Sequence, residues 1–324
     1  MKRTKKLFAV LLTAVMTVCM GATAFAADEK PTDTASVTIK KNYVAANKGT
    51  TSPAETFTLA QVGEGRVTDG DAESAPSLGT ITGAAFAEGE ASKEGAQADI
   101  IVDLPQYTSV GVYEYTLKEI AGTTAGVTYH NGNIILKVTV IQAEGGRLRV
   151  AAVHTEEAGG EKNDTYTNTY SAGTLSVKKE VTGNLGDQDK YFTFKVKLEG
   201  EQGKTYAKSY AVTGGSYGEN PERVKVGEEA TFRLKHDETI SIANLPYGVK
   251  YTVTEEKADG YTTTKAGDAG SIRSELATAS FTNDKTGSVD TGIHLDSLPY
   301  ILVLAAVAAA AAVLIVRRRR ISDR

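Results

Sequence analysis

The chain has 324 residues, one cysteine, no tryptophan and a formal net charge of −4. Cys19 lies in a segment that we expect to be removed, which excludes disulfides, thiolate metal sites and a cysteine nucleophile from the remainder. Residues 27–291 carry a net charge of about −11, because the two ends contain nine bases and two acids. Such an acidic surface is unfit for nucleic acid.

Residues 1–26 have the pattern of a secretory signal peptide. Basic residues between Lys2 and Lys6 precede an apolar run from Leu7, and the small-residue sequence Ala-Phe-Ala ends at Ala26. We therefore expect the chain to be exported and cleaved before Ala27.

Short alternating strands, separated by Gly- and Asn-rich turns, follow the signal peptide. Clear examples are IILKVTV at 134–140, LRVAAV at 148–153, FTFKVKL at 192–198 and ATFRL at 230–234. No convincing amphipathic helix interrupts them. Many short strands with turn signals predict an all-β sandwich architecture.

Three motifs recur in the same order in the two halves of this region. They are a strand with Lys-Lys, a strand with Tyr-x-x-x-Glu and a closing strand with Thr-Asn, at 36–43, 115–119 and 165–170 and again at 174–181, 251–255 and 279–284. A repeated plan predicts tandem domains. We place the two β-sandwich domains at 35–172 and 173–285.

The alternation of strand side chains places one lysine, one glutamate and one asparagine on apolar faces in each domain. These residues are Lys41, Glu119 and Asn168 in the first domain and Lys179, Glu255 and Asn283 in the second. An isolated buried charge is costly, so we expect each set of three, called a trio below, to lie together.

Two interpretations of a trio compete. One is a buried ion pair whose hydrogen bonds the asparagine completes, a poor stabiliser because of desolvation. The other is a reaction, because low-dielectric surroundings disfavour both charges and move the proton from lysine to glutamate. The protonated glutamate polarises the asparagine amide through a hydrogen bond to the amide oxygen. The neutral amine then attacks the amide carbon, and ammonia leaves. We favour the reaction because, in both domains, the recurring motifs and the alternation of strand side chains select the same lysine, glutamate and asparagine.

Residues 36–170 resemble the pilin isopeptide-linkage domain of Gram-positive surface pilins, through VTIKKNY, GVYEYTLKEI with the following VTY, and YTNTY. Residues 173–284 resemble the B-type repeat of collagen adhesins and related pilin domains, through LSVKKEVTG, IANLPYGVKYTVTEE and FTN. The resemblance implies two immunoglobulin-like or B-type sandwiches, each with a spontaneous isopeptide bond. The implied bonds are Lys41–Asn168 with Glu119 as catalyst and Lys179–Asn283 with Glu255 as catalyst.

The segment 286–324 resembles a cell wall sorting signal, which sortases cut between Thr and Gly. An apolar run of membrane-spanning length, 298–316, precedes the basic tail 317–324. The best match to the cut site is Thr291-Gly292, although Val-Asp stands where the usual pattern has Leu-Pro-x. Thr286-Gly287 is a weaker candidate, and a plain single-span membrane anchor is the alternative.

Polymerisation by a sortase requires a lysine of another copy to attack the acyl group of Thr291. Pilins of the first-domain type often place this lysine near the closing asparagine strand, which makes Lys162 the candidate, although other surface lysines could serve.

The sequence therefore predicts a structural pilus subunit of the cell surface, and the shaft-forming one in particular. Its expected partners are a sortase and other pilin subunits or peptidoglycan, with membrane contact before sorting. The alternative is a monomeric wall-anchored adhesin that binds a host or matrix ligand. We predict no enzyme, cofactor or metal site, because no matching motif is present and the four histidines stand alone as loop or edge residues.

Overall fold

The computed structural model describes residues 33–157, 159–288, 302–311 and 313. Over residues 33–157 and 159–288 the chain consists of strands and turns, with one 3-10 turn at Glu144–Gly146, which confirms the predicted all-β class. Residues 302–311 are helical, and within the described ranges no helix has both the length and the apolar character needed to cross a membrane. The predicted signal peptide and part of the predicted span at 298–316 lie outside these ranges.

The first sandwich is formed by residues 36–170. Its strands are β1 Ser36–Ala45, β2 Glu55–Phe57, β3 Leu59–Gln61, β4 Arg66–Gly70, β5 Ile81–Thr82, β6 Ala84–Phe86, β7 Ala96–Asp103, β8 Gly111–Glu119, β9 Val127–Thr128, β10 Asn133–Gln142, β11 Leu148–Glu157 and β12 Thr165–Tyr170. One sheet has the order β5-β7-β1-β12-β9 and the other β11-β10-β8-β3, with β4 also paired to β8 and β2 paired to β6. Buried side chains of both large sheets form one core.

The second sandwich is formed by residues 172–284. Its strands are β13 Ala172–Thr182, β14 Phe192–Glu199, β15 Tyr210–Gly214, β16 Arg223–Val224, β17 Glu229–Leu234, β18 Thr239–Pro246, β19 Lys250–Glu255, β20 Thr262–Ala266, β21 Ala269–Ser271 and β22 Leu276–Asp284. The sheets have the orders β16-β15-β18-β13-β22-β20 and β17-β14-β19-β21, and they enclose a second core.

The strand that opens each sandwich alternates between buried and more exposed residues. Lys41 falls in the buried series of β1 and is 1% exposed, and Lys179 falls in that of β13 and is 0% exposed. The preceding lysines, Lys40 and Lys178, are half-buried and exposed. Because successive strand residues point to opposite faces, the inward orientation of the second lysine is confirmed.

The first and last strands of each sandwich lie side by side and run parallel. Tyr43 of β1 is opposite Asn168 of β12, and Val181 of β13 is opposite Asn283 of β22. In both pairs the lysine lies two residues before the residue opposite the asparagine. The two side chains are therefore diagonal neighbours on one face, within reach of a long side chain.

The two sandwiches are joined without a flexible linker. Ser171 alone separates β12 from β13. Asn47 donates a hydrogen bond to the Tyr247 hydroxyl at 2.7 Å. Asn244 accepts from the backbone N–H of Thr51 at 3.0 Å and donates to its carbonyl at 2.8 Å. These contacts, which we call the joint, fix one sandwich against the other.

Candidate functional sites

Each trio is assembled from both sheets of its sandwich. In the first sandwich Lys41 and Asn168 stand on the neighbouring strands β1 and β12, and Glu119 is the last residue of β8 in the facing sheet. In the second, Glu255 ends β19 and faces the pair from β13 and β22 in the same way. The carboxylate therefore approaches from across the core.

In the first sandwich the three side chains form a closed, buried set of contacts. The Nζ of Lys41 donates to Oδ1 of Asn168 at 2.8 Å and to the carboxylate of Glu119. The Nδ2 of Asn168 donates to Oε1 of Glu119 at 2.5 Å. The lysine and glutamate side chains are 1% and 0% exposed, so all three groups meet out of contact with water.

In the second sandwich the carboxylate lies between the other two groups. The Nζ of Lys179 donates to the two oxygens of Glu255 at 3.0 and 3.2 Å, and Nδ2 of Asn283 donates to Oε1 at 2.5 Å. The Oδ1 of Asn283 is buried and has no hydrogen-bond partner among the described residues. The structure thus brings the predicted groups together in both sandwiches.

Burial changes the proton affinity of both lysines. It lowers the pKa of Lys41 and of Lys179, and the hydrogen bond to the glutamate opposes this shift in each case. Aromatic rings contribute to the dry surroundings, since Nζ of Lys41 lies 5.4 Å from the ring centre of Phe57 and Nζ of Lys179 lies 4.3 Å from that of Phe192. A neutral amine, the nucleophilic form, is therefore easier to reach here than on the surface.

The position of the carboxylate differs from the sequence-based expectation. We expected the acid to contact the asparagine oxygen, but Glu119 and Glu255 both contact the amide nitrogen. The physical reason is that a carboxylate only accepts hydrogen bonds and the amide offers its donors on Nδ2. The acid is thus placed beside the group that would leave as ammonia.

Sequence reasoning missed a fourth group at the first trio. The backbone N–H of His130, two residues after β9, donates to Oδ1 of Asn168 at 2.8 Å. His130 lies in the loop after the edge strand β9, as predicted, but it is half-buried rather than solvated, and its ring packs edge-on against Tyr166 at 5.1 Å. A sequence signal exists, since the turn dipeptide Asn131-Gly132 directly follows His130 and predicts that the chain leaves the strand near this point.

The residues predicted for sorting are only partly described. Lys162 is exposed in the loop before β12 and forms an isolated antiparallel bridge with Glu156 of β11. Thr291 and Gly292 lie outside the described residues. The weaker candidate at 286–287 is held to the fold, because Gly287 exchanges hydrogen bonds with the side chain of Asn184 at 3.0 and 2.8 Å.

Comparison with known families agrees with this geometry. Residues 28–171 match the FctA family, described as a Spy0128-like isopeptide containing domain. Residues 173–285 match a domain of unknown function, DUF7601.

Known proteins with similar sequence or fold are pilus components. A pilin of Streptococcus pyogenes serotype M1 is 30% identical over 213 residues, which cover 59% of this chain and 63% of the pilin. The pilus tip adhesin Cpa of Streptococcus pyogenes is 32% identical over 87 residues, 27% of this chain and 12% of the adhesin. The crystal structure of the major pilin from Streptococcus pyogenes matches with a TM-score of 0.53 at 23% identity, covering 79% of this chain and 100% of that one.

These findings define a tandem β-sandwich protein whose sequence is similar to that of a streptococcal pilin. The chain is related to the pilins of Gram-positive bacteria, as its sequence motifs predicted, and its first sandwich is of the Spy0128-like isopeptide-containing kind. The chain spans 63% of the curated pilin that it matches. The resemblance of the second sandwich to the B-type repeat stays a prediction, since the matched family has no assigned function.

Proposed function

We propose that the chain is a structural subunit of a surface pilus, the shaft-forming one, and that an isopeptide bond locks each of its two domains, 35–172 and 173–285. The observation that carries this proposal is the buried lysine–glutamate–asparagine trio, which occurs twice and connects the first strand to the last strand each time. The similarity to pilins supports a structural rather than an enzymatic role.

The trio contains every group that the bond requires. Glutamate takes a proton from lysine, the neutral Nζ attacks Cγ of asparagine, and glutamate passes the proton to Nδ2, which leaves as ammonia. One C–N bond forms and one breaks. Nζ loses two protons in all, of which one departs with ammonia and the other remains on glutamate until it passes to solvent. The fold holds the reacting groups together, which makes an otherwise slow reaction feasible.

The two bonds lie in series along the direction of tension. A force entering at β1 would pass from Lys41 to Asn168, then through β12 into β13, and from Lys179 to Asn283. Most of each sandwich lies outside this covalent path, because the bonded strands are the first and last and run parallel. A chain joined in this way transmits tension without extending its hydrogen-bonded sheets, as a pilus shaft requires.

Assembly on the cell surface is the second part of the proposal. Residues 1–26 would direct export, a sortase would cut between Thr291 and Gly292 in the segment 286–324, and Lys162 of another copy would accept the acyl group. The exposure of Lys162 supports its role as the acceptor, and the similarity to a pilin supports assembly on the cell surface. The partners are then the sortase and other pilin subunits or peptidoglycan.

Intact mass spectrometry tests the two bonds directly. The purified region 27–290 should be lighter than its calculated mass by two molecules of ammonia. Glu119→Ala and Glu255→Ala should each restore one of these losses, because each removes the proton carrier of one trio. A parent protein of full calculated mass would refute the proposed bonds.

Cell wall extracts test the assembly. A shaft subunit should give a ladder of high-mass species that resist SDS, and Lys162→Arg should collapse the ladder if Lys162 is the acceptor. A single band from the parent strain would contradict the shaft role and favour the monomeric adhesin.

A further inference from the structure

Among the described residues, the asparagine oxygen of the first trio has a backbone hydrogen-bond donor that the asparagine oxygen of the second trio lacks. We propose that the backbone N–H of His130 stabilises the oxyanion that forms on Oδ1 of Asn168, and that it thereby accelerates closure of the first isopeptide bond. This inference rests on the proposed function and names a further catalytic group for it. The donor is a main-chain group, so it does not depend on the identity of the side chain at 130.

The distance suits this role. The N–H lies 2.8 Å from Oδ1 of Asn168, and donors at about 2.7–3.1 Å from a developing oxyanion are effective. Asn168 is 0% exposed, so water does not compete for the oxygen. In such dry surroundings a fixed donor interacts more strongly with developing charge than it would in water.

The donor matters because the other contact to this oxygen is lost during the reaction. In the structure Oδ1 accepts from Nζ of Lys41 at 2.8 Å and from His130. When Nζ bonds to Cγ, its electron pair enters the carbonyl carbon and the π electrons move onto Oδ1. Nζ is then held covalently and no longer points at the oxygen as a donor. The N–H of His130 remains in place to meet the negative charge until the carbonyl re-forms and ammonia leaves.

The chain path explains why this donor is free in the first sandwich. Strand β9 pairs with β12 at Val127 and Thr128, and Thr128 lies opposite Thr169. The paired segment ends there, one step before Asn168, so the following backbone is not used in the ladder. The N–H of His130 can therefore turn to the asparagine side chain.

The corresponding edge strand of the second sandwich continues past its asparagine. Thr263 of β20 lies opposite Asn283, and the pairing runs on to Ala266 opposite Ser280. The backbone groups of β20 that face β22 are therefore used in the ladder. This agrees with the buried Oδ1 of Asn283, which has no partner among the described residues.

Replacement of one backbone atom tests the proposal. The full-length chain would be made by cell-free synthesis in detergent in two forms. The alanine form carries alanine at residue 130. The ester form carries the α-hydroxy analogue of alanine there, so that an ester oxygen replaces the backbone N–H. Samples quenched in acid at successive times and digested would give the fraction of the cross-linked peptides Lys41–Asn168 and Lys179–Asn283 by mass spectrometry.

His130→Ala is the matched control, because it retains the N–H and should close the first bond at nearly the parent rate. The ester form should close it about 100-fold more slowly, the usual effect of losing one oxyanion donor. The second bond should form at the same rate in every form. His130→Pro deletes the same N–H by a different change and should also slow the first bond alone.

A folding control separates slow chemistry from misfolding. The ester form that also carries Asn168→Ala cannot react, and it should melt at the same temperature as Asn168→Ala with a normal amide at 130. Equal rates of first-bond closure in the ester and alanine forms would overturn the role of His130 and leave the proposed function intact. Absence of both cross-linked peptides from the parent chain would instead refute the proposed function.

Discussion

Two adjacent lysines open each sandwich, and their environments differ most in the second. Lys178 is exposed, whereas Lys179 is 0% exposed and contacts Glu255. The difference follows from the two-residue period of a strand, and it gives the inner lysine a lowered pKa because burial disfavours the ammonium form. A single step along the chain therefore separates a surface charge from a buried amine with a lowered pKa.

Substitution of the two lysines by methionine should separate these roles. Lys179→Met should abolish one ammonia loss and with it the cross-link to Asn283, which costs about 4–5 kcal/mol by the loop-entropy estimate for roughly 100 residues. Lys178→Met, the matched control, should retain both ammonia losses and change stability by less than about 0.5 kcal/mol. Intact mass and urea unfolding measure the two effects, and a bond that survives Lys179→Met would contradict the assignment.

The rate of bond formation should depend on pH through the buried amine. Because burial lowers the pKa of Lys41, its amine becomes neutral at a lower pH than that of an exposed lysine, which has a pKa of about 10.4. The rate should therefore rise with pH and reach its maximum below this value. Quenched time courses of newly made chain, followed by the Lys41–Asn168 peptide, give the profile. A rate that climbs only above pH 10.4 would show that the amine titrates like a surface lysine.

At the scale of elements, the first and last strands of each sandwich are paired. A bond between their lysine and asparagine side chains would therefore close almost the whole domain into one loop. β1 and β12 are parallel, as are β13 and β22, and the lysine and asparagine keep the same two-residue offset in both sandwiches. The separation along the chain is 127 residues for Lys41 and Asn168. A bond between such distant positions restricts the unfolded chain strongly.

Opening one bond should destabilise one sandwich. Asn168→Ala and Asn283→Ala should each lower the free energy of unfolding of the affected sandwich by about 4–5 kcal/mol, from the entropy of a closed loop of roughly 100 residues. Calorimetry should show one transition at a lower temperature while the other stays in place. Asn133→Ala, at an exposed asparagine that begins β10, is the control and should move neither transition. Unchanged transitions in both asparagine variants would mean that the bonds contribute nothing to stability.

At the scale of the whole molecule, the joint determines whether the two sandwiches act as one rod. Asn244 has a φ of 60°, a left-handed conformation that a non-glycine residue adopts at a cost. In this conformation its side chain exchanges two hydrogen bonds with the backbone of Thr51. The contacts offset the backbone strain and hold the first sandwich against the second.

Asn244→Gly should loosen the joint without affecting the bonds inside the sandwiches. Glycine adopts this φ without strain, so the change removes the side-chain contacts alone. Small-angle scattering should show a broader distribution of distances between the sandwiches, and both ammonia losses should persist. Asn244→Asp retains the acceptor for the N–H of Thr51 and should lie between the parent and glycine forms. A scattering curve identical to that of the parent would show that other contacts hold the joint.

The sequence predicted local features well because they depend on local patterns. Alternation identified the strands and the inward lysines, and repeated motifs indicated two sandwiches. The strand layout of 45–110 was not predictable, because all of its strands except β7 have five residues or fewer and their pairing is non-local. This segment includes Thr51, whose backbone contacts Asn244 at the joint.

By itself, the sequence determined the all-β class and the residue types that meet in each core, because a period of two is a property of the strand alone. The tertiary structure decided which atoms of these residues touch. It placed Glu119 on the nitrogen of Asn168 and the N–H of His130 on its oxygen. Those contacts join residues far apart in the chain, so they depend on the register of parallel strands and on the packing of facing sheets, which no local pattern specifies.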